Sequence, residues 1–231
     1  MNNSIVYEDN HVLVAIKPQN KIIHKNNKNE GFLYELKEYL ADRESKESFF
    51  LDPISRLDKA VGGLCVFAKT SKAKKRLDEK SLKNELENKY LSVVVSYPRF
   101  KKTILKNFLK LNKDLGKLEI VPSGEENAIK AETSYTLLQN KEKISLLEVE
   151  ADNYIAHQIR AQLSLNKTPV FGDAIYGGDI VKGWGLALWL YKVKFEHPVS
   201  GKKLTFICSP DQEQTPWKHF SLDKYLKVEI S

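Results

Sequence analysis

The stretch ISRLDKAVGGL, residues 54–64, leads from a polar loop into a β-rich run at 63–69. Within it, Arg56 and Asp58 stand two residues apart, ahead of a glycine pair. Loops beside a rigid scaffold commonly carry functional side chains, so this spacing could place a carboxylate at the rim of a sheet. Two oppositely charged loop residues are, however, more often a solvated pair than a site. The segment alone predicts a loop followed by a strand and leaves the role of Asp58 open.

Outward from this stretch, the chain reads as strands broken by three helices. Hydrophobic spacing predicts helices over 32–42, over 71–87 with Ser71 as the N-cap, and over 156–165. Runs rich in β-branched and aromatic residues predict strands at 4–7, 12–16, 63–69, 90–96, 103–109, 118–122, 131–138, 144–150, 186–195 and 203–208. Because these elements do not alternate as βαβ units, we expect an α+β fold with a mixed, mostly antiparallel central sheet flanked by a few helices. We expect one domain over residues 1–231.

Composition excludes several classes of protein. The 231 residues are 42% hydrophobic and 29% charged, which is unlike a disordered chain. Cys65 and Cys208 are the only cysteines, too few for a disulfide scaffold or a four-cysteine zinc site. The sequence has no apolar run long enough for a transmembrane helix, and its first residues do not form a signal peptide. We therefore expect a cytoplasmic protein with no membrane partner, and a monomer.

The charge balance favours an anionic partner. Lysine and arginine number 37 against 30 acidic residues, which gives a net charge of +7. Such an excess attracts polyanions, because each neutralised phosphate releases a counterion. The alternative is a solvated, lysine-rich surface that reflects composition alone. Arginine is scarce, and it is the residue best suited to paired hydrogen bonds with a carboxylate or phosphate. Each arginine is therefore a candidate for a specific contact.

Two further segments could carry chemistry. In Lys89-Tyr90-Leu91, a tyrosine at the start of a strand could present its ring and hydroxyl to a cleft. The usual alternative is a half-buried strand aromatic. In His157-Gln158-Ile159-Arg160, the histidine and the arginine would share one face of a helix. The alternative there is an exposed polar face.

Taken together and in order, these segments resemble the catalytic domain of the RluA-type pseudouridine synthases. The family's RLD motif and the strand after it match 56–58 and 63–70, and its HQIR helix matches 157–160. Residues 89–91, Lys-Tyr-Leu, are similar to its K-x-Y-L strand. Its opening strand and KP turn are similar to 6–9 and 16–18, its P-x-x-GD-x-x-YG loop to 169–177, and its F-x-HP hairpin to 195–198. The resemblance extends over nearly the whole chain.

The resemblance implies isomerisation of uridine in tRNA or rRNA. The N1–C1′ glycosidic bond breaks, the uracil turns, and C5 bonds to C1′, with no cofactor and no metal. Asp58 would be the nucleophile, or the base that opens the sugar, and Arg160 would pair with its carboxylate to favour the ionised form. Tyr90 would lie against the uracil and help to remove the C5 proton.

The remaining expected site residues bind the RNA. The enzyme must extract the target uridine from its stack, and Arg56 could fill the vacated space or bind a neighbouring phosphate. Leu64 and Ile159 would be apolar walls, and His157 would contact the substrate. The family pattern starts by Ile5, so we expect no N-terminal S4 domain. The lysine-rich segments at 72–76 and 101–102 are candidate backbone contacts, although a solvated face is the commoner role for either.

The sequence departs from the family pattern at four places. Ser55 stands where the family has histidine, Val61-Gly62 precede the retained Gly63, Asn153-Tyr154-Ile155 replace a T-G-R run, and Trp189 replaces a histidine. These changes suggest an alternative, a catalytically inactive RNA-binding protein of the same fold. A third possibility is an unrelated α+β hydrolase with Asp58 and Asp173 as paired carboxylates.

Overall fold

A computed structural model describes residues 4–25, 30–45, 50–152, 155–179 and 184–226. The chain divides into two compact units. The first unit comprises Met1–Asn88, Leu190–Ser209 and Leu226–Ser231, and the second comprises Lys89–Trp189 and Pro210–Tyr225. The expectation of one domain over the whole chain stays a prediction.

The first unit combines a sheet with two helices. Its elements are β1 (Ile5–Glu8), β2 (Val12–Lys17), α1 (Phe32–Glu44), β3 (Asp52–Pro53), β4 (Gly62–Ala68), α2 (Ser71–Leu82), most of β10 (Leu188–Glu196) and β11 (Lys203–Ile207). The strand order is β1-β2-β4-β10-β11, and β3 also pairs with β4. Every residue of β4 is buried. Helix α1 packs Phe32 against Phe67 of β4, with ring centroids 6.1 Å apart.

The second unit is an antiparallel sheet with one helix. Its strands are β5 (Glu87–Val95, of which 89–95 lie here), β6 (Lys102–Asn112), β7 (Lys117–Val121), β8 (Ile129–Lys141) and β9 (Ile144–Ala151). They follow the order β5-β9-β8-β6-β7, and each neighbouring pair is antiparallel. Helix α3 (Gln158–Leu165) contacts β6, β7, β8 and β9. Its Ala161 packs in a core cluster with Leu109, Leu118 and Ala131.

In the first unit, the motifs at the two ends of the family pattern form two turns that contact each other. In the β1–β2 turn, the Asp9 carboxylate accepts hydrogen bonds from the Tyr7 hydroxyl and from main-chain N–H groups. In the β10–β11 turn, Nδ1 of His197 accepts the N–H groups of Val199 and Ser200. Nε2 of the same ring lies 2.9 Å from Asp9 Oδ2. The segments 6–9 and 195–198 thus bring two turns of one unit together.

The predicted α+β class and the largely antiparallel pairing are confirmed, but several boundaries differ. Helix α2 ends at Leu82 instead of residue 87, because Asn84 adopts a left-handed conformation and Leu82 is almost fully exposed. Its N-cap is Thr70 and not Ser71, since the Thr70 hydroxyl accepts the Ala73 N–H. Strand β3 and two short 3₁₀ helices, Trp217–His219 and Leu222–Lys224, were not predicted from the sequence. Across the described ranges, no helix has the length and apolar character needed to cross a membrane.

Candidate active site

In the first unit, Asp58 stands on a loop whose main chain is fixed on both sides. Before it, the Ile54 N–H donates to the Val66 carbonyl at 2.8 Å, and the Ser55 hydroxyl accepts the Val66 N–H at 3.0 Å. After it, the Asp58 carbonyl accepts the Val61 N–H at 3.1 Å, which closes a tight turn. Asp58 itself is partly exposed, between the buried Leu57 and the exposed Lys59. The loop therefore buries its apolar leucine and leaves Asp58 partly accessible to solvent.

The side chain of Lys17 donates a hydrogen bond to the main chain of this turn. Its side chain is fully buried at the end of β2. Its ammonium group donates to the carbonyls of Pro18, Lys21 and Lys59, at 2.9, 2.7 and 3.3 Å. Burial lowers the pKa of Lys17 to about 8, an effect that the Cys65 thiol and the Asp58 carboxylate partly oppose. From the sequence, Lys17 was interpreted only as part of the KP turn, although a lysine directly following the apolar run VLVAI indicates a buried ammonium group.

Gly63 explains why the last glycine of its motif is retained. Its φ is +124°, and a Cβ at this position would lie 2.3 Å from the carbonyl oxygen of Leu190. No other residue fits such a close approach of two main chains without displacing one of them. Neither Val61 nor Gly62 has a positive φ, so the backbone conformation at these two positions does not itself require glycine.

The two binding residues predicted in the first unit differ in exposure. Arg56 is exposed on the loop before Asp58, as a contact to RNA requires. Leu64 is fully buried within β4. The expected roles of Arg56 in RNA binding and of Leu64 as an apolar wall stay predictions.

In the second unit, Arg160 is held by an acidic partner that the sequence did not indicate. Its Nε and Nη2 donate to the two carboxylate oxygens of Asp173, each at 2.8 Å. Arg160 is 4% exposed and Asp173 is 1% exposed. Oδ1 of Asp173 also accepts the N–H groups of Ile175 and Tyr176. This forked geometry fixes the plane of the guanidinium, and the pairing of Arg160 with Asp58 stays a prediction.

Tyr176 completes the surroundings of Arg160. The guanidinium carbon of Arg160 lies 5.2 Å from the centroid of the Tyr176 ring. The Tyr176 hydroxyl accepts the Leu118 N–H at 2.7 Å and lies 3.3 Å from Nδ1 of His157. His157 is the N-cap of α3 in a left-handed conformation, so the prediction of a helix from residue 156 was two residues too long. The histidine precedes the helix and meets the tyrosine edge-on.

Two buried glutamines attach α3 to the sheet. The Gln158 amide donates to the Glu132 carbonyl at 3.0 Å and to Asp152 Oδ1 at 3.2 Å. The Gln162 amide donates to the carbonyls of Leu105 and Ala131 and to Asn107, and its oxygen accepts the Thr133 hydroxyl. A buried polar network of this kind permits few rotations of the helix. It therefore determines the direction in which Arg160 projects.

Tyr90 lies within β5 and not at its start, because the strand begins at Glu87. The tyrosine is buried. It lies opposite Val149 of β9. The neighbouring Lys89 bridges Glu148 and Glu150 at 3.1 and 3.0 Å. Burial works against the charge of Lys89, but the hydrogen bonds to the two glutamates outweigh it and raise its pKa. The lysine of this motif thus joins β5 to β9.

The remaining predicted positions lie in varied surroundings. Ile159 is buried on α3, and Trp189 lies within β10. Asn153 and Tyr154, which replace part of the family's T-G-R run, lie outside the described residues.

In the part of the chain that the structure describes, no three side chains of His, Cys, Asp or Glu are grouped as metal ligands. Asp173 is fully engaged with Arg160, which argues against its use as the second carboxylate of a hydrolase.

Comparison with known proteins identifies the family. Residues 11–165 match the family model described as RNA pseudouridylate synthase, so the chain belongs to that family. The RluA-type resemblance is confirmed by its relatives. The chain is 30% identical over 199 residues to the uncharacterized RNA pseudouridine synthase YhcT of Bacillus subtilis, covering 85% of this chain and 65% of the relative. It is 26% identical to a ribosomal large subunit pseudouridine synthase D of Zymomonas mobilis, covering 90% of this chain and 69% of that protein.

Solved structures show the same fold. Human RNA pseudouridylate synthase domain containing 4 superposes with a TM-score of 0.75 at 19% identity, covering 94% of this chain and 91% of that one. This chain is thus similar in fold to the human protein over nearly its whole length. It spans about two thirds of the two bacterial relatives named above.

Proposed function

We propose that this protein is an RNA pseudouridine synthase, an isomerase that converts uridine in RNA to pseudouridine with Asp58 as its nucleophile. The observation that carries the proposal is the placement of Asp58. Its main chain is fixed by the pairing of residues 54–55 with Val66, by the turn to Val61 and by Lys17, while the residue itself stays partly exposed. A nucleophile requires a fixed position and access to the substrate.

The reaction rearranges bonds within one nucleotide. The Asp58 carboxylate bonds to C1′ as the N1–C1′ bond breaks, and the uracil keeps the electrons of the broken bond. After the ring turns, C5 bonds to C1′ and the bond between Asp58 and C1′ breaks, which regenerates the carboxylate. The C5 proton then leaves and N1 gains a proton, so the product is an isomer of the substrate. Each step requires only proton transfers and a carboxylate, which the chain itself supplies.

The resemblance supplies roles for the other site residues. The resemblance implies that Arg160 pairs with the nucleophile, and the fork of Arg160 with Asp173 supports this role because it fixes the guanidinium. Tyr90 offers a ring to the uracil and a hydroxyl near C5, with Leu64 and Ile159 as apolar walls. His157 contacts the substrate from the N-cap of α3.

We propose RNA as the partner, with tRNA or rRNA as the substrate class. The net charge of +7 supports an RNA partner. Several relatives are named as ribosomal large subunit pseudouridine synthases, which favours rRNA. We further propose that the protein acts in the cytoplasm as a monomer.

Tritium release from RNA labelled at uridine C5 tests the function. The substrate is total RNA from cells that lack this gene, separated into tRNA and rRNA pools. We expect the wild-type protein to release tritium from one pool and Asp58→Ala to release none. Asp114→Asn, an exposed aspartate in the β6–β7 turn, is the matched control and should retain full activity. No release from either pool, with RNA still bound, would overturn the proposal in favour of a catalytically inactive RNA-binding protein.

Arg56 has a separate test. If it fills the vacated stack or binds a phosphate, Arg56→Ala should raise KM and slow tritium release at low RNA concentration. Because Arg56 is exposed, its loss should leave the unfolding transition unchanged. Unchanged RNA affinity and rate would rule out this role.

A further inference from the structure

The loop that joins β5 to β6, residues 96–101, takes no part in the proposed mechanism and is held in a defined conformation. The Ser96 N–H donates to the Lys143 carbonyl at 2.7 Å, and the Ser145 hydroxyl donates to the Ser96 carbonyl at 2.9 Å. At the other end, the Leu137 N–H donates to the Lys101 carbonyl at 2.8 Å. Pro98 is buried between these anchors. A loop fixed in this way loses little conformational entropy when it binds a partner.

Two aromatic side chains project from this fixed loop. Tyr97 is 55% exposed and Phe100 is 54% exposed. The guanidinium carbon of Arg99 lies 5.2 Å from the centroid of the Phe100 ring. Exposed aromatic rings beside arginine are the stacking surface that proteins offer to unpaired bases. The loop therefore presents two such rings within four residues.

Basic residues surround the rings. The Ser96–Lys143 hydrogen bond brings the β8–β9 turn to the loop, and the hydrogen bond from Val95 to Pro169 adds the segment that follows α3. In residues 96–102, 141–143 and 166–170, all the basic side chains are exposed, and Glu142 is the only acidic residue. Such a surface attracts a polyanion, whereas the centres of protein–protein interfaces are depleted of lysine. The six basic residues are Arg99, Lys101, Lys102, Lys141, Lys143 and Lys167.

We propose that Tyr97, Phe100 and these six basic residues, the aromatic–basic surface, bind a single-stranded RNA segment flanking the target uridine. This proposal rests on the proposed function, because it adds a second RNA contact to that enzyme. Tyr90 lies six residues before Ser96 along β5, a distance of about 20 Å at the rise of a β-strand. The Tyr97 end of the surface is therefore too far from Tyr90 to hold the uridine that reacts. It would hold nucleotides on one side of that uridine and so contribute to the choice of substrate.

Fluorescence anisotropy with a short fluorescein-labelled single-stranded oligouridylate tests the surface. We expect Tyr97→Ala/Phe100→Ala to raise Kd about tenfold or more, because the stacking of each base contributes substantially to affinity. The matched control is Tyr34→Ala/Phe50→Ala, an exposed tyrosine and phenylalanine of the first unit, and it should leave Kd unchanged. The exchange Tyr97→Phe/Phe100→Tyr should retain affinity, since both rings still stack.

Salt dependence gives an independent measurement for the basic residues. Lys101→Ala/Lys143→Ala should reduce the slope of log K against log salt concentration by about 0.7 for each phosphate that the variant no longer neutralises. An unchanged Kd for the double alanine variant of the rings, or an equal rise of Kd in the control, would overturn the proposal. An unchanged salt slope would contradict the proposal that Lys101 and Lys143 neutralise RNA phosphates.

Tritium release separates this proposal from the proposed function. We expect Tyr97→Ala/Phe100→Ala to raise KM for RNA while kcat stays near the wild-type value. If tritium release depends on Asp58 but RNA binding does not depend on the two rings, the proposed activity is supported and RNA binding by the aromatic–basic surface is refuted. If the wild-type protein binds RNA through the rings but releases no tritium, RNA binding by the surface is supported and the proposed activity is refuted.

Discussion

The loop of Asp58 and the helix of Arg160 are held in place by different means. Around Asp58, main-chain hydrogen bonds from Ile54 to Val66 and from Val61 to Asp58 act together with the Ser55 hydroxyl and the Lys17 ammonium group. Around Arg160, the anchors are buried side chains, namely Asp173, Gln158 and Gln162. A main-chain anchor tolerates many side chains, whereas a side-chain network requires particular ones.

Two of the four departures from the family pattern agree with this difference. They are at Ser55 and at Val61-Gly62, on the Asp58 loop, where main-chain hydrogen bonds supply part of the anchoring. The HQIR and GD motifs are retained without change, although a third departure, Asn153-Tyr154-Ile155, lies just before α3. The comparison therefore predicts that substitutions in the α3 network cost more than substitutions in the Asp58 loop.

The largest effect is expected for Asp173→Asn. This change keeps the shape of the side chain but leaves the Arg160 guanidinium buried without the countercharge of Asp173. Breaking a buried ion pair in this way costs about 3–5 kcal/mol. We expect the free energy of unfolding, measured in urea by tryptophan fluorescence, to fall by about 3 kcal/mol, and tritium release to fall with it.

The control for Asp173→Asn is Glu125→Gln, which breaks the largely exposed pair of Glu125 with Lys110 in the same unit. Exposed pairs contribute little, so this variant should unfold at the same urea concentration as the wild-type protein. Equal effects of the two substitutions would contradict the assignment of Asp173 as the support of Arg160.

The motifs of the chain supplied candidate site residues, but not the contacts that hold those residues in place. Tyr90, Asp58 and Arg160 belong to short patterns that can be seen in the sequence. Asp173 lies thirteen residues beyond Arg160 in another motif, and no local periodicity joins the two. Lys17 and Lys59 are joined by a hydrogen bond across 42 residues. Contacts of this kind depend on the tertiary fold, so spacing rules do not reveal them.

The fold was easier to predict from the sequence than these long-range contacts, because local hydrophobic patterns reveal buried strands and helices. Strand β4 is buried throughout and consists largely of apolar residues, which a pattern of hydrophobicity detects. The sequence did not reveal the end of α2, because the residues up to Glu87 are all compatible with a helix. In the structure, the last buried residue of this helix is Leu77. The left-handed conformation of His157, which fixes the start of α3, has no signature in the residue type.

The second prediction concerns Lys17, whose side chain supports the Asp58 turn. Lys17→Met fills a similar volume but offers no donor to the carbonyls of Pro18, Lys21 and Lys59. Because buried acceptors without a donor are costly, we expect the free energy of unfolding to fall by about 2 kcal/mol. Tritium release should fall as well, since the Lys59 carbonyl belongs to the turn that begins at Asp58. An unchanged rate would show that the turn keeps its shape without Lys17.

The third prediction is a pH dependence that belongs to Lys17. Its pKa is about 8 in the folded protein, below the ordinary value of 10.5, so between these two pH values the unfolded chain binds more protons. The stability contributed by Lys17 therefore rises with pH across this window and is lost as pH falls from 10.5 to 8. We expect the difference in unfolding free energy between the wild-type protein and Lys17→Met to grow by about 1 kcal/mol per pH unit in this range. A difference that stays constant between pH 8 and pH 10.5 would show that burial does not depress the pKa of Lys17.

The smallest effect is expected for Ser55→Ala, at the position where the family has histidine. The substitution removes the acceptor of the Val66 N–H, and a hydrogen bond of this kind contributes about 0.5–1.5 kcal/mol. The neighbouring Ile54–Val66 hydrogen bond and the Asp58–Val61 turn remain, so we expect the loop to keep its path and tritium release to stay close to the wild-type rate. Unfolding in urea and single-turnover tritium release would measure the two effects separately. If Ser55→Ala abolished release while changing stability little, Ser55 would act on the substrate, and the departure from histidine would be a change in chemistry instead of a change of anchor.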